Sequence, residues 1–440
     1  MSIRKVFLFA FCLMSATASH ALEYPIKAGM QVIYEATTTV PGQFPTIWRY
    51  ELWVFDERES GRFDAVWANY TNIGTPQEMI SGAIPFGLTK SGAKQFVGER
   101  EATYQIHDQV NTYLPDISPI TSFEGNWKTP PAVTRWYNSY QVTGQTDQHV
   151  QCRFAQYGVN NLDQLVGTQT SGDVFFDKAT NWPSEIRVQT TQNTQQGQIQ
   201  INQQVRLTKV INRDEAWISS RKEEAKDFFN VLAQHDQELS KANDNLASAT
   251  LELAPVFSLW NNWLANNQTS RFYRLGQTQA QVLANTVPIL QQFWSKRKSV
   301  VGKPAPDWTL PDFTGKQYTL SAIPAQPVLL VFWTKTKWWS LVAMQELVDY
   351  QKEFGDKGLV ILPIDVDPSP DEAANALKTM GVNLTSLYNT NPAVLEMYGI
   401  PLGMFPSTVI IDKNKTIYDV RYGWGNQVSK QIKNRIREAL

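Results

Sequence analysis

A chain of 440 residues is too long for one ordinary core, so two or three domains are expected, each burying its own apolar interior. With 40 basic residues against 41 acidic ones, and no long run of either sign, the charge pattern argues against a nucleic-acid groove or a polybasic membrane patch. Nucleic acid is therefore not an expected partner.

The first residues read as an export signal. Arg4 and Lys5 precede an apolar run from Val6 to Met14, and small residues lead to Ser19-His20-Ala21. Cleavage after Ala21 is expected, giving residues 1–21 as signal peptide and a periplasmic mature chain. The apolar run is shorter than the ~20 residues a spanning helix needs, and no later segment reads as transmembrane. Cys12 lies inside that run rather than after a small-residue lipobox, which argues against a lipoprotein. Removal of the signal leaves Cys152 as the one cysteine, so no intrachain disulfide can form. In Val150-Gln-Cys-Arg-Phe154 the alternation places Cys152 with Val150 and Phe154 on one face of a half-buried strand. A structural, buried thiol is the expectation, with an exposed reactive cysteine as the alternative.

Residues 22–212 are expected to form an antiparallel β-rich domain. Trp48, Tyr50, Leu52 and Val54 alternate with Arg49, Glu51 and Trp53, and Phe63, Ala65 and Trp67 continue the pattern after the turn-like Glu59-Ser-Gly61. Alternation with one polar face implies a curved half-barrel or a sandwich. Hairpin signals flank the polar stretch from Thr191 to Gly197. Residues 75–131 are rich in Gly, Pro and Ser, and strand order cannot be read there. The aromatic strands admit a second reading, in which this domain encloses an apolar ligand.

Near Asn212-Arg-Asp-Glu215 the period becomes helical, and residues 213–297 are expected to form a helical linker domain of two or three helices. Ala254-Pro255 breaks or starts a helix. Phe257, Trp260 and Leu264 are expected on one helix face, and Val282, Thr286, Leu290 and Phe293 on another.

Residues 298–440 carry the clearest pattern. After Val301-Gly-Lys-Pro-Ala-Pro306 the expected elements are a strand at 328–333, a helix at 339–354, a strand at 359–365 and a helix at 371–380. A short helix at 393–398, a hairpin pairing 407–412 with 416–421, and an end helix from Val428 complete the domain. That order, β-α-β then β-β-α, together with Phe332-Trp333 at the strand end and Phe405-Pro-Ser-Thr-Val-Ile-Ile-Asp412, resembles the TlpA/ResA-like branch of the thioredoxin superfamily. These are periplasmic or membrane-tethered thiol–disulfide oxidoreductases with the motif Phe-Trp-Ala-x-Trp-Cys-x-x-Cys. The resemblance covers about a third of the chain and implies an α+β multidomain protein ending in a thioredoxin-like α/β domain. It also implies that Pro406 is the family's cis-proline.

The departures from the family bear on function. Lys337-Trp338-Trp339-Ser340 stands where the family has Cys-x-x-Cys, and Ala343 stands where many relatives place an acid. Thiol–disulfide exchange needs one thiolate to attack and a second sulfur to resolve, so catalytic roles do not carry over to Lys337 and Ser340. Extra residues in Pro401-Leu-Gly-Met404 also alter the loop before Pro406. A lysine at a helix N-terminus is disfavoured by ~0.3–1 kcal/mol and should face solvent, which argues against a lysine nucleophile. His107, His149 and His235 show neither metal-ligand spacing nor a triad pattern, so no metal or cofactor is expected. The binding candidates for another envelope protein or a peptide are Trp338, Trp339, Phe405 and Pro406; the two tryptophans either serve that recognition, pack inside the chain, or reflect relaxed constraint on a dead active site. A third reading keeps the chain in thiol–disulfide exchange, working with a partner's thiols.

Overall fold

The computed structural model describes residues 22–440 apart from 97–103, 130–135, 160–164, 167–169, 195–196 and 390. The export-signal reading and Cys12 fall on residues 1–21, outside those described.

The N-terminal region is a single large antiparallel sheet. Its strands are β1 (Met30–Thr39), β2 (Thr46–Glu57), β3 (Phe63–Thr71), β4 (Met79–Leu88), β5 (Lys94–Phe96), β6 (Asn126–Lys128), β7 (Trp136–Gln145), β8 (His149–Val159), β9 (Leu165–Val166), β10 (Thr170–Asp177), β11 (Pro183–Thr194) and β12 (Gly197–Asn212). They are ordered β5-β4-β3-β2-β1-β12-β11-β10-β8-β7-β6, with β9 paired to β8. The segment that gave no strand order in sequence supplies β4, β5, β6 and the helix α1 (Tyr104–Tyr113). That helix contacts both β4 and β7, near opposite ends of the sheet, so the sheet curls and α1 lies across its concave side. Val110 and Tyr113 of α1 are buried there with Tyr34, Tyr50, Leu52 and Trp67. Tyr113 packs against Tyr50 at 5.3 Å and Trp67 at 6.2 Å between ring centroids, which ties α1 to the sheet by aromatic contacts.

The opposite face departs from the expected polar alternation. Trp53, Phe55, Val66, Ala68 and Tyr70 are buried on the convex side beneath three helices, α2 (Glu215–Asp244), α3 (Ala254–Asn266) and α4 (Tyr273–Val300). Trp53 is fully buried although its neighbours in sequence alternate with it, because β2 and β3 are covered on both faces. Asp214 caps α2, its side chain accepting from the Trp217 N–H at 2.8 Å, and Pro255 sits in the first turn of α3. The buried stripe of α4 is Leu275, Leu283 and Trp294, with Val287 and Leu290 partly buried. Val282, grouped from sequence with Thr286, Leu290 and Phe293 on one helix face, is exposed, whereas Leu283 is buried, so the contact stripe is rotated by one residue from that grouping. Gly276 lets α4 approach α3 closely, since a Cβ there would lie 2.4 Å from Trp263 Cζ3.

The C-terminal region begins with the hairpin β13 (Thr309–Pro311) and β14 (Gln317–Thr319). It continues through β15 (Val328–Trp333), α5 (Trp338–Phe354), β16 (Val360–Asp365), α6 (Pro370–Thr379), β17 (Leu387–Tyr388), α7 (Pro392–Met397), β18 (Ser407–Ile411), β19 (Ile417–Tyr422) and α8 (Asn426–Ala439). The sheet order is β17-β16-β15-β18-β19, with β15 parallel to β16 and antiparallel to β18. Every residue of β15 is buried. Leu329, Val331 and Trp333 face the core shared with α5, α6 and α8, while Val328, Leu330 and Phe332 face the core shared with α7. An uninterrupted apolar run is what a strand covered on both faces requires.

Edge strand β19 meets the end of α4. Arg297 of α4 donates through Nε and a terminal guanidinium nitrogen to Asp419 Oδ1 at 2.9 and 2.7 Å, and to the Asn243 carbonyl at the end of α2. Arg421 binds Asp419 at 2.8 Å and Asp244 at 2.6 Å. Arg297 and Asp419 are buried, so this ion network ties the helical layer to the C-terminal sheet and covers the edge strand. Among the described residues, no helix is long and apolar enough to cross a membrane.

Candidate functional site

The loop leaving β15 and the loop entering β18 adjoin, because Phe332 pairs with Ser407 across the antiparallel ladder. Lys337 is the N-cap of α5, exposed, in extended backbone and without a side-chain capping bond. Ser340, in the first turn, is fully buried, and its hydroxyl accepts from the Thr334 N–H at 3.3 Å. Exposed N-cap and buried first-turn residue thus hold opposite environments within a single turn. Trp338 opens the helix, and its side chain lies outside those described. Trp339 is half-buried against the core beneath α5 rather than standing clear of the surface. Ala343 is buried in the same core.

Across the ladder the Phe405-Pro406 bond is cis. Phe405 is half-buried and Pro406 buried, and the Pro406 carbonyl accepts from the Gly423 N–H at 2.8 Å. Leu402, in the preceding loop, is 80% exposed. Beside Met404 a cleft of about 330 Å³ opens between the helical layer and the C-terminal sheet, lined by Leu239, Leu290, Phe293, Met404, Tyr422 and Val428 among others. The structure therefore brings Lys337, Ser340, Phe405 and Pro406 to one end of the sheet.

Sequence reasoning missed a polar cluster beneath this end. The Asp367 carboxyl accepts from the Thr334 hydroxyl at 2.5 Å and from the Lys335 N–H at 2.7 Å, pinning the loop that carries Lys337. Asp365, fully buried at the end of β16, accepts from the Asp367 N–H at 3.2 Å. Burial first, and the neighbouring Asp367 second, push the Asp365 carboxyl up to about 8, so it is largely protonated at neutral pH. The available signal was Ile364-Asp-Val-Asp367, where acids interrupt a buried strand end. Lys335 is engaged by Glu372, which leaves Lys337 as the exposed cation of the tip.

The remaining candidates lie elsewhere. Cys152 is buried in the concave core between β7 and β10, and burial pushes its thiol up to about 12. His235 accepts from the Trp260 indole at 2.7 Å, and His107 is buried with its ring stacked on Phe96 at 4.2 Å. Both are packed histidines within the fold. No group of metal-ligating side chains occurs among the described residues.

Residues 301–420 match the AhpC/TSA family model. The thiol-disulfide oxidoreductase ResA of Bacillus thuringiensis strain Al Hakam is 26% identical over 149 residues, covering 33% of this chain and 82% of the relative. The Bacillus subtilis ResA is 29% identical over 135 residues, covering 30% and 72%. The C-terminal domain resembles the ResA-like thioredoxin family. Among solved structures, a putative thiol:disulfide interchange protein DsbE from Chlorobium tepidum aligns at 22% identity over 32% of this chain and 96% of its own, with a TM-score of 0.30. The ResA-like domain contains no cysteine, and Lys337 to Ser340 form the N-cap and first turn of α5. The sheet of β1 to β12 and the three helices lie outside the matched residues.

Proposed function

We propose that this is an exported, periplasmic protein whose ResA-like domain binds an extended segment of another envelope protein without dithiol exchange. The observation that carries the reading is an exposed Lys337 next to a buried Ser340 at the end of the sheet that also carries Phe405 and Pro406, in a domain that holds no sulfur nucleophile. The exposed Leu402 and the cleft at Met404 supply apolar contacts next to the loop, and desolvated apolar side chains are what anchor a protein partner. Trp339 supports the surface from below, since it packs on the domain core.

A photo-crosslinking residue placed at Lys337 in cells is the direct test. Adducts to a defined envelope protein, lost on Leu402→Asp, support the reading. Turnover of insulin disulfides by the purified mature chain above the uncatalysed rate would overturn it. The name of the relatives favours a second reading, that the chain serves thiol–disulfide exchange through a partner's thiols. Crosslinks confined to dithiol proteins would select it.

A further inference from the structure

A separate charged recess lies on the convex side of the large sheet. It encloses about 310 Å³ between β1, β2, β3, β12, the start of α2 and the turn before α4. Its lining carries Arg49, Lys209, Arg213, Arg221 and Arg271 against the carboxylates Glu35 and Glu51.

The carboxylates do not neutralise this cluster. Glu51 is buried, already accepts from Gln31 at 2.7 Å and Trp53 at 2.8 Å, and is ion-paired with Arg49 at 2.9 Å. Arg49 is further paired with Glu78, and Arg221 with Glu224 at 2.8 Å. Lys209, Arg213 and Arg271 form no ion pair with a carboxylate among the described residues, and Arg213 Nε instead donates to Gln31 at 2.7 Å. Glu35 is exposed at the rim. Three cations without a carboxylate ion pair among the described residues thus converge on one concavity, Arg271 lying in the field of Glu78.

Two of the guanidinium groups of the recess are held in place. The guanidinium carbons of Arg213 and Arg221 lie 5.4 and 5.7 Å from the centre of the Trp217 ring. Trp217 packs edge-on against buried Trp53 at 6.2 Å, which fixes the indole to the sheet. Burial, reinforced by the charge of Arg271, depresses the Arg221 guanidinium below its ordinary range. Cations that outnumber the carboxylates around them raise the energy of the empty site, and an anion relieves that repulsion while meeting donors already in place.

We propose that this recess is a binding site for a small molecule carrying at least two oxyanion groups, phosphate or carboxylate. Guanidinium forks match such groups in bidentate fashion, and the volume suits a small ligand rather than a polymer. Because the walls come from both sheet and helices, occupancy fastens the helical layer to the β region. Binding to the folded state alone raises its thermal midpoint by mass action.

The test uses the full mature chain, with pyrophosphate and citrate as probes in chloride buffer of matched ionic strength. Calorimetry is expected to give saturable binding of at least one probe with Kd below about 1 mM, together with a rise in Tm. Pyrophosphate alone assigns a phosphate ligand, and citrate alone a carboxylate one. Lys209→Gln/Arg271→Gln changes two exposed side chains, so its circular dichroism should match the parent and its unliganded Tm should equal or exceed it. Its affinity should fall at least tenfold, while Lys378→Gln in the C-terminal domain keeps parental affinity. No binding beyond the chloride control, or equal affinity in the double variant, overturns the proposal.

Discussion

Replacing Arg297 with Met should loosen the C-terminal sheet from the helical layer. Arg297 and Asp419 are 2% exposed each, and the guanidinium reaches Asp419 Oδ1 at 2.9 and 2.7 Å. Removing one partner of a buried ion pair costs about 3–5 kcal/mol, chiefly because the other charge is left without compensation. Asp419 keeps Arg421 at 2.8 Å and Arg435 at 3.5 Å, which places Arg297→Met near or below the lower end, at ~2–3 kcal/mol. The pair joins α4 to β19, so the loss should appear locally, as faster hydrogen exchange of the β19 amides and a lower urea midpoint. In a double-mutant cycle, Asp419→Asn should cost at least about 1 kcal/mol less in the Arg297→Met background than in the parent. High salt should change the effect little, since the pair is shielded from solvent. Additive single-variant costs, or exchange at β19 equal to the parent, would refute a docking role.

Other predictions follow from single observations. Cys152 should react with a thiol reagent only on unfolding, since a thiol pushed up to about 12 by burial is roughly 10⁻⁴ thiolate at pH 8; rapid labelling of the native chain would contradict its placement. Gly276→Ala should destabilise by ~1–3 kcal/mol despite the helix propensity gained, because a Cβ would meet a Trp263 ring tethered to Asp227 at 2.7 Å; an unchanged Tm would show that the ring yields. Asp365 should make the parent less stable as pH rises, because a carboxyl held at about 8 in the fold keeps a proton that the unfolded chain releases near 4. Asp365→Asn keeps an acceptor for the Asp367 N–H and does not titrate. Its stability should therefore gain on the parent between pH 5 and 8, with a slope of at most about 1.4 kcal/mol per pH unit; parallel urea midpoints across that range would exclude a raised Asp365.

Most elements of the C-terminal domain, though not the short strands β13, β14 and β17, were legible in the sequence because each depends on local pattern. The apolar run of β15 reports a strand covered on both faces, and Pro255 marks the start of α3 by what its ring permits. The face of Cys152 followed from the alternation in β8 for the same reason. The absence of sulfur from the Lys337–Ser340 turn is likewise a property of the sequence alone. Tertiary structure decided what covers each face. Trp53 and Phe55 alternate with Leu52 and Val54, yet both sets are buried, because distant helices pack on the convex side of the sheet. The one-residue rotation that exposes Val282 and buries Leu283 depends on where α4 meets its neighbours, which helical periodicity does not specify. Neither pattern nor spacing joins Arg297 to Asp419, or brings Lys209, Arg213 and Arg271 to one recess, since these residues meet only after chain closure. The paired acids Asp365 and Asp367 carry no sign of their environment in sequence; the ends of β15 and β16 enclose them, and burial sets the ionisation of Asp365.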